Sequence, residues 1–388
     1  MRRVAITGVG LTKFGNLGDI TTRELFYESS SNALKDAGLS FNDIDAIYFG
    51  NLDSSRFEHQ CHTAAINASI ATNRLIPATR VEDACASGGV AVAQGFLSIA
   101  AGIYDTVLVV GAEKMTNLPT GDVTDVLATC ADDILEVPHG ITFPGLYALM
   151  ARAHMNTYGT TEEQLAMVAV KNHKNALDNP YAQFHKDITI EKVLSSLMVA
   201  DPLKIYDCSP ISDGGAAIVL TTLEKAQQIG NNTPVEIVGV GQASDTVDLA
   251  SRKSLTSIQA SKVAAERAYK MANIKPSDID VAEVHDCFTI AEIINTEDLG
   301  FFNPGEGGYA VETGLTKRDG DVPVNPSGGL KAKGHPIGAS GVAQIVELTH
   351  QIRGTAGKRQ VSGVRYGLAH NMGGSGATAV VHILKEVN

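Results

Sequence analysis

Val81-Glu82-Asp83-Ala84-Cys85-Ala86-Ser87-Gly88-Gly89-Val90 reads as the end of a strand, a single cysteine at a turn, and the opening of a long helix. The helical stretch Ala86 to Ala101 holds no charged residue. A helix that is apolar all round is a buried one. Cys85 therefore stands where a buried helix begins, beside unpaired backbone N–H groups and the positive end of the helix dipole. That setting favours thiolate over thiol, and the thiolate is the nucleophile. The other reading is that Cys85 is a small buried hydrophobe, as most free cysteines are.

Working outward, Val4–Val9 reads as a buried strand, and Thr21-Thr22-Arg23-Glu24 fits a capping box opening a helix that Ala37-Gly38 closes. Ile44–Gly50 is a second strand, His59–Ala71 a helix, and Ala78–Glu82 the strand leading into Cys85. Beyond the buried helix, Thr106–Gly111 has the unbroken apolar run of a parallel sheet covered on both faces. This alternation implies an α/β fold. From about 115 to 207 it stops, and Pro138, Pro144, Pro180 and Pro202 punctuate helical patterns at Tyr147–Tyr158 and Glu162–Leu177. The segment is either a helical insertion that packs on the sheet or a lid presenting Phe143, Met150 and Met155 to a site.

Alternation resumes at Ala216–Thr221, and Val235-Glu-Ile-Val-Gly-Val-Gly241 then resembles Val4-Ala-Ile-Thr-Gly-Val-Gly10. The likeness continues: Ala272…Asp278-Ile279-Asp280 corresponds to Ala37…Asp43-Ile44-Asp45. An internal duplication of half the chain follows, with halves 1–230 (carrying the segment 115–207) and 231–388. The interface between two such halves is a natural place for a site. In the second half, the partner of the Cys85 turn is Asn325-Pro-Ser-Gly-Gly-Leu-Lys-Ala-Lys-Gly-His335-Pro-Ile-Gly-Ala-Ser-Gly341, where the helix opens at a histidine. Pseudo-symmetric helices then point Cys85 and His335 at one cavity, where the imidazole activates the thiol. Two more segments follow strands: Glu283-Val-His285-Asp286-Cys287-Phe288, after a strand including Val281, and Gly367-Leu-Ala-His370-Asn371-Met372-Gly373-Gly374, after a strand Val361–Tyr366. Polar groups at strand C-terminal ends are where open α/β sheets bind ligands.

The formal charge of −12 argues against nucleic acid or an anionic membrane as the main partner. Five dispersed cysteines, with no CxxC pair and no zinc-ligand spacing, indicate neither a disulfide framework nor a structural metal. The chain starts directly with a strand pattern and has no apolar stretch of membrane-span length, so a cytoplasmic protein is expected.

Taken together, Asp83-Ala84-Cys85-Ala86-Ser87-Gly88-Gly89 resembles the nucleophile motif of the thiolases, and 325–341 resembles their histidine motif. The resemblance runs from Val4 to Val381 and implies two pseudo-symmetric α/β halves in five layers, αβαβα, with an inserted loop domain. Common biosynthetic thiolases carry Asn-Glu-Ala-Phe where this chain has His285-Asp286-Cys287-Phe288, and a Cys-x-Gly motif where it has His370-Asn371-Met372. The combination is similar to sterol-carrier-protein-type and archaeal thiolases, in which the cysteine equivalent to Cys287 is taken to replace the missing acid/base. The resemblance implies acetyl-CoA C-acetyltransferase activity through an acetyl-Cys85 intermediate. His335 assists the thiol, Cys287 removes the α-proton, and His285 helps to hold the enolate. Backbone N–H groups of Cys85 and of Met372–Gly373 face the acetyl oxygen, and His370 is either catalytic or shapes the pocket. No cofactor is implied beyond coenzyme A as part of acetyl-CoA and acetoacetyl-CoA. A homodimer or homotetramer is implied, as is a complex with 3-hydroxy-3-methylglutaryl-CoA synthase through a zinc-ribbon/OB-fold protein, feeding the mevalonate route. A degradative 3-ketoacyl-CoA thiolase and a non-catalytic acyl-CoA-binding scaffold are the competing readings. Cys287 speaks against the related ketoacyl synthases and 3-hydroxy-3-methylglutaryl-CoA synthases.

Overall fold

The nine strands of the main sheet, in the computed structural model that describes residues 1–387, are β1 (Val4–Leu11), β2 (Ala46–Gly50), β3 (Ala78–Val81), β4 (Thr106–Glu113), β5 (Gly214–Thr222), β6 (Val235–Ser244), β7 (Val281–Glu283), β8 (Tyr366–Gly373) and β9 (Thr378–Glu386). Their spatial order is β3-β2-β4-β5-β1-β6-β9-β8-β7. The longer helices are α1 (Thr22–Ala37), α2 (Thr63–Ala71), α3 (Ser87–Ala100), α4 (Phe143–Tyr158), α5 (Glu162–Ala176), α6 (Gln259–Ala272), α7 (Thr289–Asp298) and α8 (Ile337–Arg353).

The duplication is visible in the sheet. Reading outward from the central β1–β6 pair, the two halves run β1-β5-β4-β2-β3 and β6-β9-β8-β7, the second ending in a parallel bridge between Ala282 and Val324. That bridge stands where β3 pairs with β2, so the turn after Val324 is the structural counterpart of the turn after Val81. The sheet is mixed rather than parallel: β2 runs parallel to β3 and β4, whereas β5 pairs antiparallel with both β4 and β1. The unbroken apolar run of β4 reflects cover on both faces, which an antiparallel neighbour does not disturb.

Each half of the sheet carries outer helices, α1 and α2 on one side and α6 and α7 on the other. Helices α3 and α8 lie between the halves, packed on each other and on strands of both, which makes five layers. The repeated Gly-Val-Gly serves this layering. A Cβ at Gly10 would lie 2.2 Å from the Ser29 carbonyl of α1, and one at Gly241 would lie 1.9 Å from the Ala264 carbonyl of α6. Each outer helix thus rests directly on strand backbone.

The capping box at Thr21 and Glu24 and the left-handed Gly38 bound α1 as the sequence indicates. The stretch His59–Ala71 is not one helix. His59 and His62 both have positive φ, and they separate a short helix, Ser54–Glu58, from α2. Asp53 caps that short helix by accepting from the Arg56 N–H, so helix starts earlier and breaks earlier than periodicity suggests. The segment 115–207 contains α4, α5 and a hairpin of Met198–Ala200 with Leu203–Lys204.

Candidate active site

Cys85 sits on a tight turn between β3 and α3. Ala84, just before it, has φ +46°, a left-handed value that costs a non-glycine residue and clusters at functional turns. The turn is closed by Ser87, whose Oγ accepts from the Asp83 N–H (2.9 Å) and donates to the Ala84 carbonyl (2.6 Å). The free N–H groups expected at the start of α3 are largely used. Ala86 N–H goes to the Asp83 carbonyl, Ser87 N–H to Ala84, and Gly89 N–H to Asn371 Oδ1. Burial therefore outweighs the helix terminus and, with Cys287 nearby, pushes the Cys85 thiol up to about 12. At rest the thiol is protonated, contrary to the thiolate that the helix dipole suggested. The N–H groups that favour its charge belong to Cys85 itself and to Gly374.

His335 is delivered by the turn ahead of α8. Its Nδ1 lies 2.7 Å from Ser340 Oγ, which donates its own proton to the Pro336 carbonyl at 2.9 Å. Ser340 must then accept, so the His335 proton is on Nδ1 and Nε2 carries the lone pair. Burial lowers the ring to about 3, and it is neutral at neutral pH. Glu113, at the end of β4, sets where α8 begins: its carboxylate accepts from the N–H groups of Gly338 (3.0 Å) and Leu52 (2.8 Å). Burial raises Glu113 to about 7.

His285, Asp286 and Cys287 form the loop after β7. Asp286 accepts from Leu330 N–H (2.6 Å) and Asn172 Nδ2 (2.7 Å), sewing this loop to the turn that carries His335 and to α5. Asn325 completes the seam, accepting from Val284 N–H and donating to Glu292, which pairs with Lys171 at 2.9 Å. Burial pushes Cys287 up to about 12.

Cys85, Cys287 and His335 line one cavity of about 170 Å³, together with Phe143, Cys130 and Cys208. One ligating atom from each of Cys85, His285 and His335 lies within 4.8 Å of the others, and the two rings meet edge to face with centroids 5.1 Å apart. A cluster so spaced could hold a soft metal ion, and the same spacing suits proton transfer between thiol and imidazole. The inserted segment reaches the cavity through Phe143 and Pro144, and the buried Tyr147 behind them stacks on Phe288 (4.5 Å) and donates to the Gly374 carbonyl (3.0 Å). Met150 is instead buried in the core beside the site and Met155 is only half-buried.

His370 does not join the group. The strand expected at Val361–Tyr366 is broken by a left-handed Gly363, and β8 begins only at Tyr366, so 370–373 are strand residues rather than a loop. Side chains alternate along a strand. His370 turns toward α6, where its Nε2 meets Ser261 Oγ at 2.9 Å, and its Nδ1 lies behind the His285 backbone N–H at 3.5 Å. Asn371 is the β8 residue that faces Cys85. Met372 and Gly373 pair in the ladder with Ala379 and Thr378, and the N–H at the thiol is one residue further on, at Gly374. Glu113 and Tyr147 carried no motif signal; Asn371 lay inside the quoted His370-Asn371-Met372 segment but was given no role, and strand alternation applied to the true β8 register would have singled it out.

Two families of known proteins match this chain: Thiolase, N-terminal domain over residues 4–224, and Thiolase C-terminal domain-like over 241–386. An acetyl-CoA acetyltransferase of Methanothermobacter thermautotrophicus is 52% identical over 100% of both chains, and one of Methanocaldococcus jannaschii is 46% identical over the same share. Human sterol carrier protein 2 is 36% identical, matching 98% of this chain and 71% of its own length. Among solved structures, an Ltp2–ChsH2(DUF35) aldolase superposes with TM-score 0.84 at 28% identity, covering 99% and 98% of the two chains. Human mitochondrial 3-ketoacyl-CoA thiolase in complex with CoA has TM-score 0.77 at 19% identity over 100% and 98%, a likeness of fold. With a duplicated five-layer fold, a cysteine and a histidine delivered by pseudo-equivalent turns, and both halves matched by family, this chain belongs to the thiolases.

Proposed function

We propose that the protein is an acetyl-CoA C-acetyltransferase, condensing two acetyl-CoA molecules to acetoacetyl-CoA through acetyl-Cys85. The observation that carries this reading is the convergence of Cys85, His335 and Cys287 on one small cavity, with a ring nitrogen of His285 within 4.8 Å of Cys85 and His335, and the names of the full-length archaeal relatives support it. Cys85 gives its proton to His335 Nε2 and attacks the acetyl carbonyl. The tetrahedral oxygen is met by the N–H groups of Cys85 and Gly374. The departing CoA thiolate takes the Cys287 proton and leaves as CoA. The Cys287 thiolate then removes an α-proton from the second acetyl-CoA, and burial makes it a stronger base. The enolate oxygen is held by His285 and by the now protonated His335. Its carbon attacks the acetyl group, Cys85 is expelled as thiolate, and His335 returns its proton.

The same reading takes acetyl-CoA, acetoacetyl-CoA and CoA as its small molecules and requires no metal. It divides the chain at 230/231, with 115–207 covering the site. It sets the protein in the cytoplasm as a homo-oligomer that feeds the mevalonate route beside 3-hydroxy-3-methylglutaryl-CoA synthase. No helix among the described residues is long and apolar enough to cross a membrane. The test is acetoacetyl-CoA cleavage by CoA, run beside longer 3-ketoacyl-CoA substrates. Preference for the four-carbon substrate is expected; preference for long chains would favour the degradative reading, and inactivity with every substrate the scaffold.

A pH profile follows from the same site. With Cys85 raised to about 12 and His335 lowered to about 3, neither group changes charge between those limits. The rate of Cys85 acetylation is therefore expected to be level between about pH 8 and pH 10, above the Glu113 carboxyl at about 7. Stopped-flow CoA release measures it, and a limb centred near pH 8.5, that of an ordinary thiol, would contradict the assignment.

A further inference from the structure

Asn371 is almost wholly buried and lies where the two central helices cross. A Cβ at Gly341 of α8 would come 2.2 Å from its Oδ1, and one at Gly89 of α3 would come 2.9 Å from it. Its three polar contacts have unambiguous chemistry at two of their ends. Gly89 N–H can only donate, and it meets Oδ1 at 3.1 Å; the Cys85 carbonyl can only accept, and it meets Nδ2 at 2.9 Å. Turning the amide over would oppose donor to donor and acceptor to acceptor, so its orientation is determined. The remaining Nδ2 hydrogen then points at His285 Nδ1, 3.1 Å away, and that nitrogen must accept. A neutral imidazole that accepts at Nδ1 carries its proton on Nε2. Burial and the two neighbouring histidines hold the ring neutral. His285 Nε2 is buried and has no hydrogen-bond partner among the described residues, which leaves its N–H free for a ligand oxygen.

We propose that Asn371 is a positioning residue that sets the tautomer of His285, making it a standing Nε2–H donor to the substrate oxygen while His335 is held in the opposite tautomer as the base. One buried amide thereby ties the nucleophile turn, the first turn of α3 and the oxygen-binding imidazole into a single unit. The two histidines are chemically alike in the sequence. Their roles divide because one leans on a hydroxyl that accepts and the other on an amide that donates. His370 belongs to the same support, since its Nδ1 lies at the His285 backbone N–H.

The use of that N–H in catalysis rests on the acetyltransferase reading; the tautomer itself does not, and the test separates them. In protein labelled with [15N]histidine, the solid-state 15N shifts of His285, assigned by difference from His285→Gln, report which nitrogen carries the proton. Wild type is expected to show Nε2–H. Asn371→Asp, of the same shape but with an acceptor in place of Nδ2, is expected to invert the ring to Nδ1–H. The same variant is expected to lose kcat by about 10²–10³-fold, the effect of removing one oxyanion donor. KM should stay within about threefold, because a donor used in the transition state leaves ground-state binding alone. Nδ1–H in the wild type overturns the proposal without any variant needing to fold, and so does an Asn371→Asp enzyme with unchanged kcat. Nε2–H in a wild type that cleaves no acetoacetyl-CoA supports the tautomer assignment and overturns the acetyltransferase reading.

Discussion

Cys85→Ala is expected to abolish both acetyl labelling from acetyl-CoA and acetoacetyl-CoA cleavage, with a loss of about 10⁴–10⁶-fold, as removal of a covalent nucleophile does elsewhere. Cys287→Ala should behave differently. It leaves the nucleophile, its N–H donors and His335 in place, so Cys85 should still acquire an acetyl group. Condensation and cleavage should fall by about 10²–10⁴-fold through loss of the acid/base. Mass spectrometry of the intact protein after exposure to acetyl-CoA separates the cases: a 42 Da adduct (about the mass of an acetyl group replacing hydrogen) on Cys287→Ala and none on Cys85→Ala. A Cys287→Ala enzyme with near-wild-type turnover would make that cysteine structural. It would leave the α-proton to another group in the cavity, and His370 would be a poor substitute, because its ring is turned toward Ser261.

The second large effect concerns packing rather than chemistry. At Gly338 a Cβ would lie 2.5 Å from the Gly50 carbonyl and 2.9 Å from the Ala112 carbonyl, and both obstacles are strand backbone. From the opposite side, a Cβ at Gly88 or Gly111 would lie 2.5 Å or 2.0 Å from the Gly338 carbonyl. No flexible side chain is present to yield, so Gly338→Ala must displace α8 itself. Overpacking costs about 1–3 kcal/mol, and a contact of backbone on backbone belongs at the upper end. The variant is expected to unfold at clearly lower denaturant concentration. Any folded fraction should have lost turnover, because the shift also drags His335 and the N–H that Glu113 holds. Wild-type stability and activity in Gly338→Ala would mean that the helix crossing is looser than drawn.

Much of this architecture is legible in the sequence. The repeated Gly-Val-Gly announced two copies of one unit, because a strand that bears a helix directly on its backbone needs glycine at those points in both copies. An uncharged helix after Cys85 announced a helix between layers, and α3 lies there. The pairing of Cys85 with His335 followed from applying the duplication to the two turns, and both side chains line the same cavity. What misled was local. The strand before His370 was begun several residues early. Since faces alternate with a period of two, the choice between His370 and Asn371 turns entirely on register.

By itself, then, the sequence determined the duplicated α/β plan and the buried helix pair, and it supplied the residues proposed as nucleophile, base and acid, because periodicity, glycine placement and residue chemistry are properties of the chain alone. Only the tertiary structure decided the charge state of Cys85, the face of β8 that meets it, and which histidine accepts and which donates. Each of these depends on partners brought from distant positions: burial between two layers that overrides a helix terminus, Gly374 at the thiol, Ser340 beside one imidazole and Asn371 beside the other. A proton's place on a buried ring is set by what the ring touches, and contacts of that kind exist only once the chain has folded.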